Sequence, residues 1–564
     1  MSHIGIFTAY QPHVALGQEG IGRLLVYIMK GMLNNGHEVT ILAPSWHRYE
    51  VKKLLAEHSL DKKIKIRCVR LHPPVMIMIY DALFWWRTHD FHAYEDEPEK
   101  DEEDEKEEKE RLSLRELPRK LLFSCLSTYS FILFALYFTL FLAIYILLFP
   151  VLVIVVPLWL FKKWLFADTT PDSDEDDDSG HVVRVSRITR IKTYIKDKVK
   201  LYLSFVPRNL RSDSITLGIM NAVRTYELKK MIKYVNRGDI EYWFVPNIFW
   251  KQCLKIRKKR VIVVPDLVYA EFPQCYYTEP VVFMSIQNIE YFMKKKPAVV
   301  CYSNHVKERH LVQLRDYKPK RITVVPHGVV DISEHLKMGL PAKEIIEVYL
   351  RRKGHLVPNI SFLRQYNFQE GRFIIYSSQY RYHKNVIGLL HVLELLLRRE
   401  HINVNLVLTC SNYMQLEPYL VKMNLIREVI FMPRVPENVL AALDSLALLH
   451  VNPTLFEGGF PFTFGEAYSV GTPSVMSDIP VTREYVDDEL AEKMLFDPYD
   501  YEDFVAKVKW GIEHREELYA LQKPLYDKFA QRSWETVAEE YMKAMRCAYR
   551  RKRPKRKRKA WKRS

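Results

Sequence analysis

Cysteine is scarce in this sequence. Seven occur in 564 residues (Cys68, Cys125, Cys253, Cys275, Cys301, Cys410 and Cys547), each standing alone. No CxxC pair is present, so neither a zinc-ribbon site nor a disulfide framework is supported, and a reducing compartment is expected. The opening MSHIGIFTAY lacks a charged n-region followed by an apolar h-region, so no secretory leader is expected. No internal repeat is visible. Hydrophobic residues make up 48% and charged residues 27%, which excludes a wholly disordered, collagen-like or disulfide-scaffold chain. The length allows three or four domains, or two large ones with insertions.

What is present is a strand–helix rhythm. HIGIFTA (3–9) reads as a strand and is followed by a polar loop containing Gly20 and Gly22. Leu24, Leu25, Ile28, Met29, Met32 and Leu33 then recur at helical spacing, Asn35-Gly36 stops them, and HEVTILAP reads as a second strand. This is the opening of a doubly wound α/β domain, and IKIRCVRL (64–71) supplies a third strand. The rhythm resumes at 240 with IEYWFVPN, RVIVVPDL, AVVCYSN and RITVVPHG. A second α/β unit follows: strands RFIIYSS, VNLVLTCS, VIFMPRV, ALLHVNPT and PSVMSD, a helix at 386–400, a Gly-rich turn and helix at 457–470, and a terminal helix at 526–546.

The segment with most chemical content is PTLFEGGFPFTFGEAYSVGTPSVMSDIPVTREYV (453–486). Glu457 sits at a turn after a strand, and Gly458-Gly459 leave backbone N–H groups uncovered before a helix that carries Glu466. A helix N-terminus of this kind suits a diphosphate, because it offers unpaired donors and the positive end of a dipole. Upstream, SSQYRYHKN (377–385) places Arg381 and Lys384 on one basic loop.

These segments resemble the retaining glycosyltransferases of family 4, within the group 1 glycosyltransferases, which have the GT-B fold. The family's two glutamates are eight apart; here they are nine apart, with the extra residue in the Gly-Gly turn. Gln379, Arg381, Lys384 and Asn385 match a Gln-x-Arg-x-x-Lys-Asn variant of its basic motif, although Ser378-Gln379 replaces the usual Gly-Arg. Gly20-Ile21-Gly22-Arg23 is similar to its glycine loop. VVPHGV (324–329) is similar to its strand into the interdomain linker, and His327 there is expected to be structural. The resemblance implies that Glu457 holds donor-sugar hydroxyls and that Glu466 binds the ribose. It implies that Arg381 and Lys384 neutralise the leaving diphosphate, and that Gly20, Gly22, Gly458, Gly459 and Phe460 line the donor site. Asp266 matches an acceptor-side His-Asp motif whose His is Pro265 here. No Asp-x-Asp metal motif stands in context, so metal-independent transfer from a GDP- or UDP-sugar is expected, without a further cofactor.

The net charge of +16 is strongly segregated. Residues 550–563 carry eleven Lys/Arg and no acid, 95–110 carry twelve acids against three lysines, and 168–178 carry seven acids and no base. Between the acidic runs lies 121–161, 41 residues without a charge. One helix of that length would be ~62 Å long, against a hydrocarbon core of ~30 Å. Both ends must return to one side, and Pro150 and Pro157 supply breaks, so a tight helical hairpin is expected, crossing twice or re-entrant. Arg119/Lys120 and Lys162/Lys163 place its ends on the cytosolic side, and Trp85-Trp86 and Trp159–Trp164 suit the interface. A basic amphipathic helix at 184–203, with Ile188, Ile191, Ile195 and Val199 on one face, would lie on an anionic leaflet.

The expected organisation follows: an acceptor domain at 1–75 and 205–335, a membrane insertion at 76–204, a nucleotide-sugar domain at 336–531, a helix crossing back at 532–549, and a basic tail at 550–564. The expected function is a membrane-associated hexosyltransferase acting on a lipid-linked or glycan acceptor, its catalytic domains on the cytoplasmic side. A catalytically degenerate GT-B membrane scaffold is the alternative. Nucleic acid is not an expected partner, since no recognition fold accompanies the basic tail.

Overall fold

A computed structural model of the chain describes residues 2–11, 14, 16–18, 20–75, 77–78, 212–276, 280–337, 339–353, 360–363, 365–410 and 413–550. Met1–Val69 with Leu228–Ser564 form one compact unit, and Arg70–Glu227 form another. The hairpin at 121–161, the acidic runs, the basic helix at 184–203 and the tail from 551 lie outside the described residues. Among the described residues no helix is long and apolar enough to cross a membrane.

The first unit holds two wholly parallel sheets. The first is built from β1 (His3–Phe7), β2 (Glu38–Leu42), β3 (Lys65–Arg67), β4 (Tyr242–Val245) and β5 (Lys259–Ile262), in the order β3-β2-β1-β4-β5. A parallel bridge from Val263 to Val300 extends it to β6 (Val299–Cys301), which pairs with β7 (Ile322–Val324). The second sheet has strands β8 (Phe373–Tyr376), β9 (Asn405–Leu408), β10 (Val429–Phe431), β11 (Leu449–Asn452), β12 (Ser474–Ser477) and β13 (Leu495–Phe496), in the order β10-β9-β8-β11-β12-β13. The winding of each sheet reverses once, between β1 and β4 and between β8 and β11. Ligands of doubly wound sheets bind outside the carboxyl ends of the strands at such a switch point.

Sequence and packing agree closely in these strands. β1 and β2 are buried along nearly their whole length, as the continuous apolar runs of parallel strands require. Gly5 is needed because a Cβ there would fall 2.6 Å from the Trp243 ring on the neighbouring strand. Helix Gly20–Asn34 buries Leu24, Leu25, Ile28, Met29 and Met32, the residues that carried the helical spacing. β13 is two residues long, too short for a sequence signal.

The terminal segment departs from expectation. It is two helices, Arg515–Ala530 and Trp534–Arg550, instead of one at 526–546. Ser533 begins the second by accepting a hydrogen bond from the Thr536 N–H (3.2 Å). Arg532, in the break, donates to the Pro326 carbonyl (3.1 Å). The last helix packs on the first sheet. Tyr541 meets Phe244 edge-on at 5.0 Å, and Trp534 stacks on Tyr27 at 5.0 Å. Gly31 permits this, because a Cβ there would lie 2.1 Å from the Trp534 carbonyl oxygen.

Candidate active site

The basic loop after β8 and the acidic turn after β11 leave adjacent carboxyl ends at the second sheet's switch point. A 3₁₀ turn, Tyr382–Lys384, is closed by Asn385 at φ 50°, and it aims Lys384 back across the strand ends. Lys384 Nζ donates to Glu457 Oε1 at 2.5 Å, both side chains retaining under a fifth of their exposure. Arg381 is exposed, with its guanidinium on the Gln379 carbonyl oxygen of the side chain (2.8 Å). The loop is tied to the turn by His383, whose carbonyl accepts from the Leu455 N–H (2.7 Å) and the Thr454 hydroxyl (3.2 Å). The buried His383 ring meets the Tyr276 hydroxyl at 2.8 Å. Burial, reinforced by Lys384 and Arg381, drives its pKa down to about 3, so the imidazole is neutral.

The Gly458-Gly459 turn is pressed against the first sheet's strand ends. A Cβ on Gly458 would lie 2.1 Å from the Pro265 carbonyl oxygen, and one on Gly459 would lie 3.0 Å from Tyr302 and 3.1 Å from His327. Ser303, just after β6, donates to the Gly458 carbonyl (2.9 Å). The turn therefore touches the chain after β5, β6 and β7; position 458 admits only glycine, and position 459 is tightly enclosed. Asp266 sits at this contact. Its carboxylate accepts from the Val268 N–H (3.1 Å), the helix-starting role that a bare Asp allows. Burial raises its pKa, while that hydrogen bond and the nearby Arg381 and Lys384 hold it down and Glu457 adds to the rise.

One sequence expectation holds at this point and three change. The helix after the glycine turn begins at Phe462, behind Pro461, so the glycines stand ahead of its first turn as the sequence places them. Gly20 and Gly22 are the first turn of helix Gly20–Asn34 and are not in a loop. Gly22 is demanded by packing, since a Cβ would meet the Leu16 carbonyl oxygen at 1.8 Å; around Gly20 the space is open. Phe460 turns into the second core, stacked on Phe529 at 4.7 Å, so its side chain does not line a donor pocket. Glu466 is 1% exposed and paired with Arg23 Nη2 at 2.6 Å.

Arg23 and Glu437 are the residues that sequence reading left without a role. Arg23 lay inside the quoted glycine stretch, but its partners are more than 400 positions away. Its guanidinium also reaches Glu437 (3.1 Å), which pairs with His335 (3.3 Å). Burial opposes charge on both Arg23 and Glu437. The two carboxylates nevertheless lift the Arg23 pKa, while His335 and Arg23 bring Glu437 down to about 2. Behind Glu466 lies Asp444, fully buried with neither carboxyl oxygen hydrogen-bonded; burial first, then Glu466, raises its pKa well above the ordinary range. His327, between Tyr302 (4.1 Å) and Phe462 (4.8 Å), is neutral, its pKa lowered by burial to about 3.

Beside the Glu457 turn, Glu271, His305 and His310 bring potential metal-binding atoms within 4.8 Å of one another. Arg309 stands 3.6 Å from the same Glu271 carboxylate, and His310 lies flat on Phe456 at 5.2 Å. Arg309 and the His310 ring, 3.2 Å away, already partner the Glu271 carboxylate.

Chemically, the carboxyl ends of β8 and β11 gather two cations and one carboxylate against a second carboxyl from the first sheet. Such a site stabilises negative charge on a departing group while holding hydroxyls in place.

The family of glycosyl transferases group 1 matches residues 361–526, the segment that contains Arg381, Lys384, Glu457 and Glu466. The N-terminal domain of trehalose-6-phosphate phosphatase from Candida albicans has a similar structure, with a TM-score of 0.51 and 11% identity over 97% of each chain. Sucrose-phosphate synthase from Thermosynechococcus elongatus aligns with a TM-score of 0.49 and 11% identity, covering 97% of this chain and 98% of that one. HepE from Anabaena, solved with UDP-glucose, aligns with a TM-score of 0.44 and 12% identity over 57% of this chain and 82% of its own. No curated protein sequence matches the chain. The chain thus combines two doubly wound parallel sheets, the architecture of the GT-B fold, with a segment at 361–526 that matches the glycosyl transferases group 1.

Proposed function

We propose that the protein is a membrane-associated, retaining, family 4 hexosyltransferase. It moves a sugar from a GDP- or UDP-sugar to a lipid-linked or glycan acceptor, without a metal. The observation that carries the reading is the Lys384–Glu457 pair at the β8/β11 switch point, with Arg381 beside it and Asp266 across the contact. Lys384 and Arg381 take up the charge of the leaving nucleoside diphosphate, and Glu457 orients donor hydroxyls once Lys384 turns to the phosphates. Gly20, at the open start of helix Gly20–Asn34, offers free N–H groups to the same diphosphate. The uncharged run 121–161 anchors the catalytic unit on the cytoplasmic face.

The test is a screen of GDP- and UDP-hexoses with the full chain in detergent, with and without polyprenyl-phosphate-linked acceptors. Turnover that Glu457→Gln and Lys384→Ala abolish supports the assignment; turnover untouched by both overturns it. The Arg23–Glu466 pair favours a second reading, a degenerate scaffold, because the glutamate expected at the ribose is already occupied. Titration with nucleoside diphosphates separates the two: a scaffold binds none.

A further inference from the structure

A cavity of about 830 Å³ opens where helix Ser212–Arg237 passes the starts of β5 and β6, at the edge of the first sheet away from the candidate active site. Among the described residues its lining holds seven cations, Lys258 beside Lys229, Lys233, Arg237, Lys255, Arg257 and Arg260, and no acidic residue. This is unlike the neighbouring surface, where Lys259 pairs with Glu241 and Lys296 with Asp316. Arg260, the most enclosed of the cations, points its guanidinium at the backbone carbonyls of Ile256 and Leu254 and has no carboxylate beside it. Arg257 and Lys255 are held at the mouth by their backbone, through Asn236 (2.6 and 3.0 Å), which leaves their side chains outward and exposed. Like charges gathered round one cavity repel each other, and an anion inside relieves that repulsion.

We infer that this cavity binds the phosphate-bearing headgroup of an anionic membrane lipid. The inference rests on the proposed membrane association. The helix that supplies Lys229, Lys233 and Arg237 is the one that returns the chain from the insertion containing the uncharged run 121–161. The pocket's helix is therefore the first described element that follows the uncharged run along the chain. The exposed Tyr234 on the same helix is of the residue type enriched at headgroup level. The pocket would set the orientation of the catalytic unit on the leaflet, whereas the apolar run would supply attachment.

The experiment measures co-flotation of the full chain with phosphatidylcholine vesicles, with and without phosphatidylglycerol. Lys233→Glu/Arg257→Glu lowers affinity for the anionic vesicles at least tenfold, leaves binding to pure phosphatidylcholine unchanged, and leaves nucleotide-sugar hydrolysis intact. Lys229→Gln/Lys255→Gln gives a smaller loss in the same direction and serves if the reversal variant does not fold. Lys62→Glu/Lys63→Glu, with the same charge change elsewhere, has no such effect. An equal loss from this control, or retained affinity in both pocket variants, overturns the inference. So does pocket-dependent binding of inorganic phosphate or RNA that anionic vesicles do not displace. Deleting 121–161 tests the anchor separately, through binding to phosphatidylcholine alone.

Discussion

Arg23 Nη2 lies 2.6 Å from Glu466 Oε1, joining the first helix of the first sheet to the site helix of the second at a carboxylate that is 1% exposed. This pair is one of several contacts that hold the two sheets together, beside Ser303 on the Gly458 carbonyl and Glu484 on the Asn304 N–H. It also sets the state in which the expected ribose-binding acid is found.

Removing the cation alone should be costly. Arg23→Met leaves Glu466 buried without a partner and close to the unpaired Asp444, and a broken buried pair costs about 3–5 kcal/mol. Urea unfolding should show that loss. The double variant Arg23→Met/Glu466→Gln should recover much of it, and additive losses in the double-mutant cycle would contradict the pairing.

Lys384→Ala and Glu457→Gln should reduce turnover by roughly 10²–10³-fold, the size typical of losing one preorganised charge-stabilising group. Their unfolding midpoints should fall as well, because each leaves a partner that is under a fifth exposed without its opposite charge. Nucleotide-sugar hydrolysis and urea titration on the same samples check both halves.

The glycines should sort by their surroundings. Gly458→Ala forces backbone against the Pro265 carbonyl and should cost about 1–3 kcal/mol with loss of turnover. Gly20→Ala enters open space in the first turn of a helix, so it should be neutral or stabilising by up to about 1 kcal/mol. Thermal melts of the two variants should shift in opposite directions or differ clearly in size.

Stability should fall as the solution is acidified from neutral pH. His327, His383 and His450 are held neutral in the fold, each with its pKa lowered to about 3 by burial first, against an ordinary 6.5. Below 6.5 the unfolded chain binds protons that the folded one refuses, so each costs up to about 1.4 kcal/mol per pH unit until the folded pKa is reached. Glu437 acts in the same direction further down, between its ordinary 4.5 and about 2. The urea midpoint should drop from pH 6.5 towards 4, and His327→Phe should flatten that slope.

Much of this protein was legible locally. Twelve of the thirteen described strands coincide with short runs visible in the sequence, most of them apolar. Lys384 and Glu457 were visible as members of motifs because each motif is contiguous. Arg23 stood in plain view without a role, since nothing local indicates that a guanidinium will meet Glu437 and Glu466. Phe460 reads like a site residue because it adjoins the glycines, yet one residue of chain rotates it into the core beside Phe529.

By itself the sequence determined the two parallel α/β sheets, the basic loop and acidic turn at the second switch point, and the uncharged run between acidic segments, because periodicity, turn residues and charge act over a few residues. Tertiary structure alone decided that Gly458 and Gly459 serve close approach to Pro265, Tyr302 and His327, that Glu466 is sealed by Arg23, and that seven cations surround one cavity with no acid among the described residues lining it. Those relations join residues from tens to hundreds of positions apart. They arise only when burial brings the strand ends together and leaves each charge with the partner, or the vacancy, that packing allows.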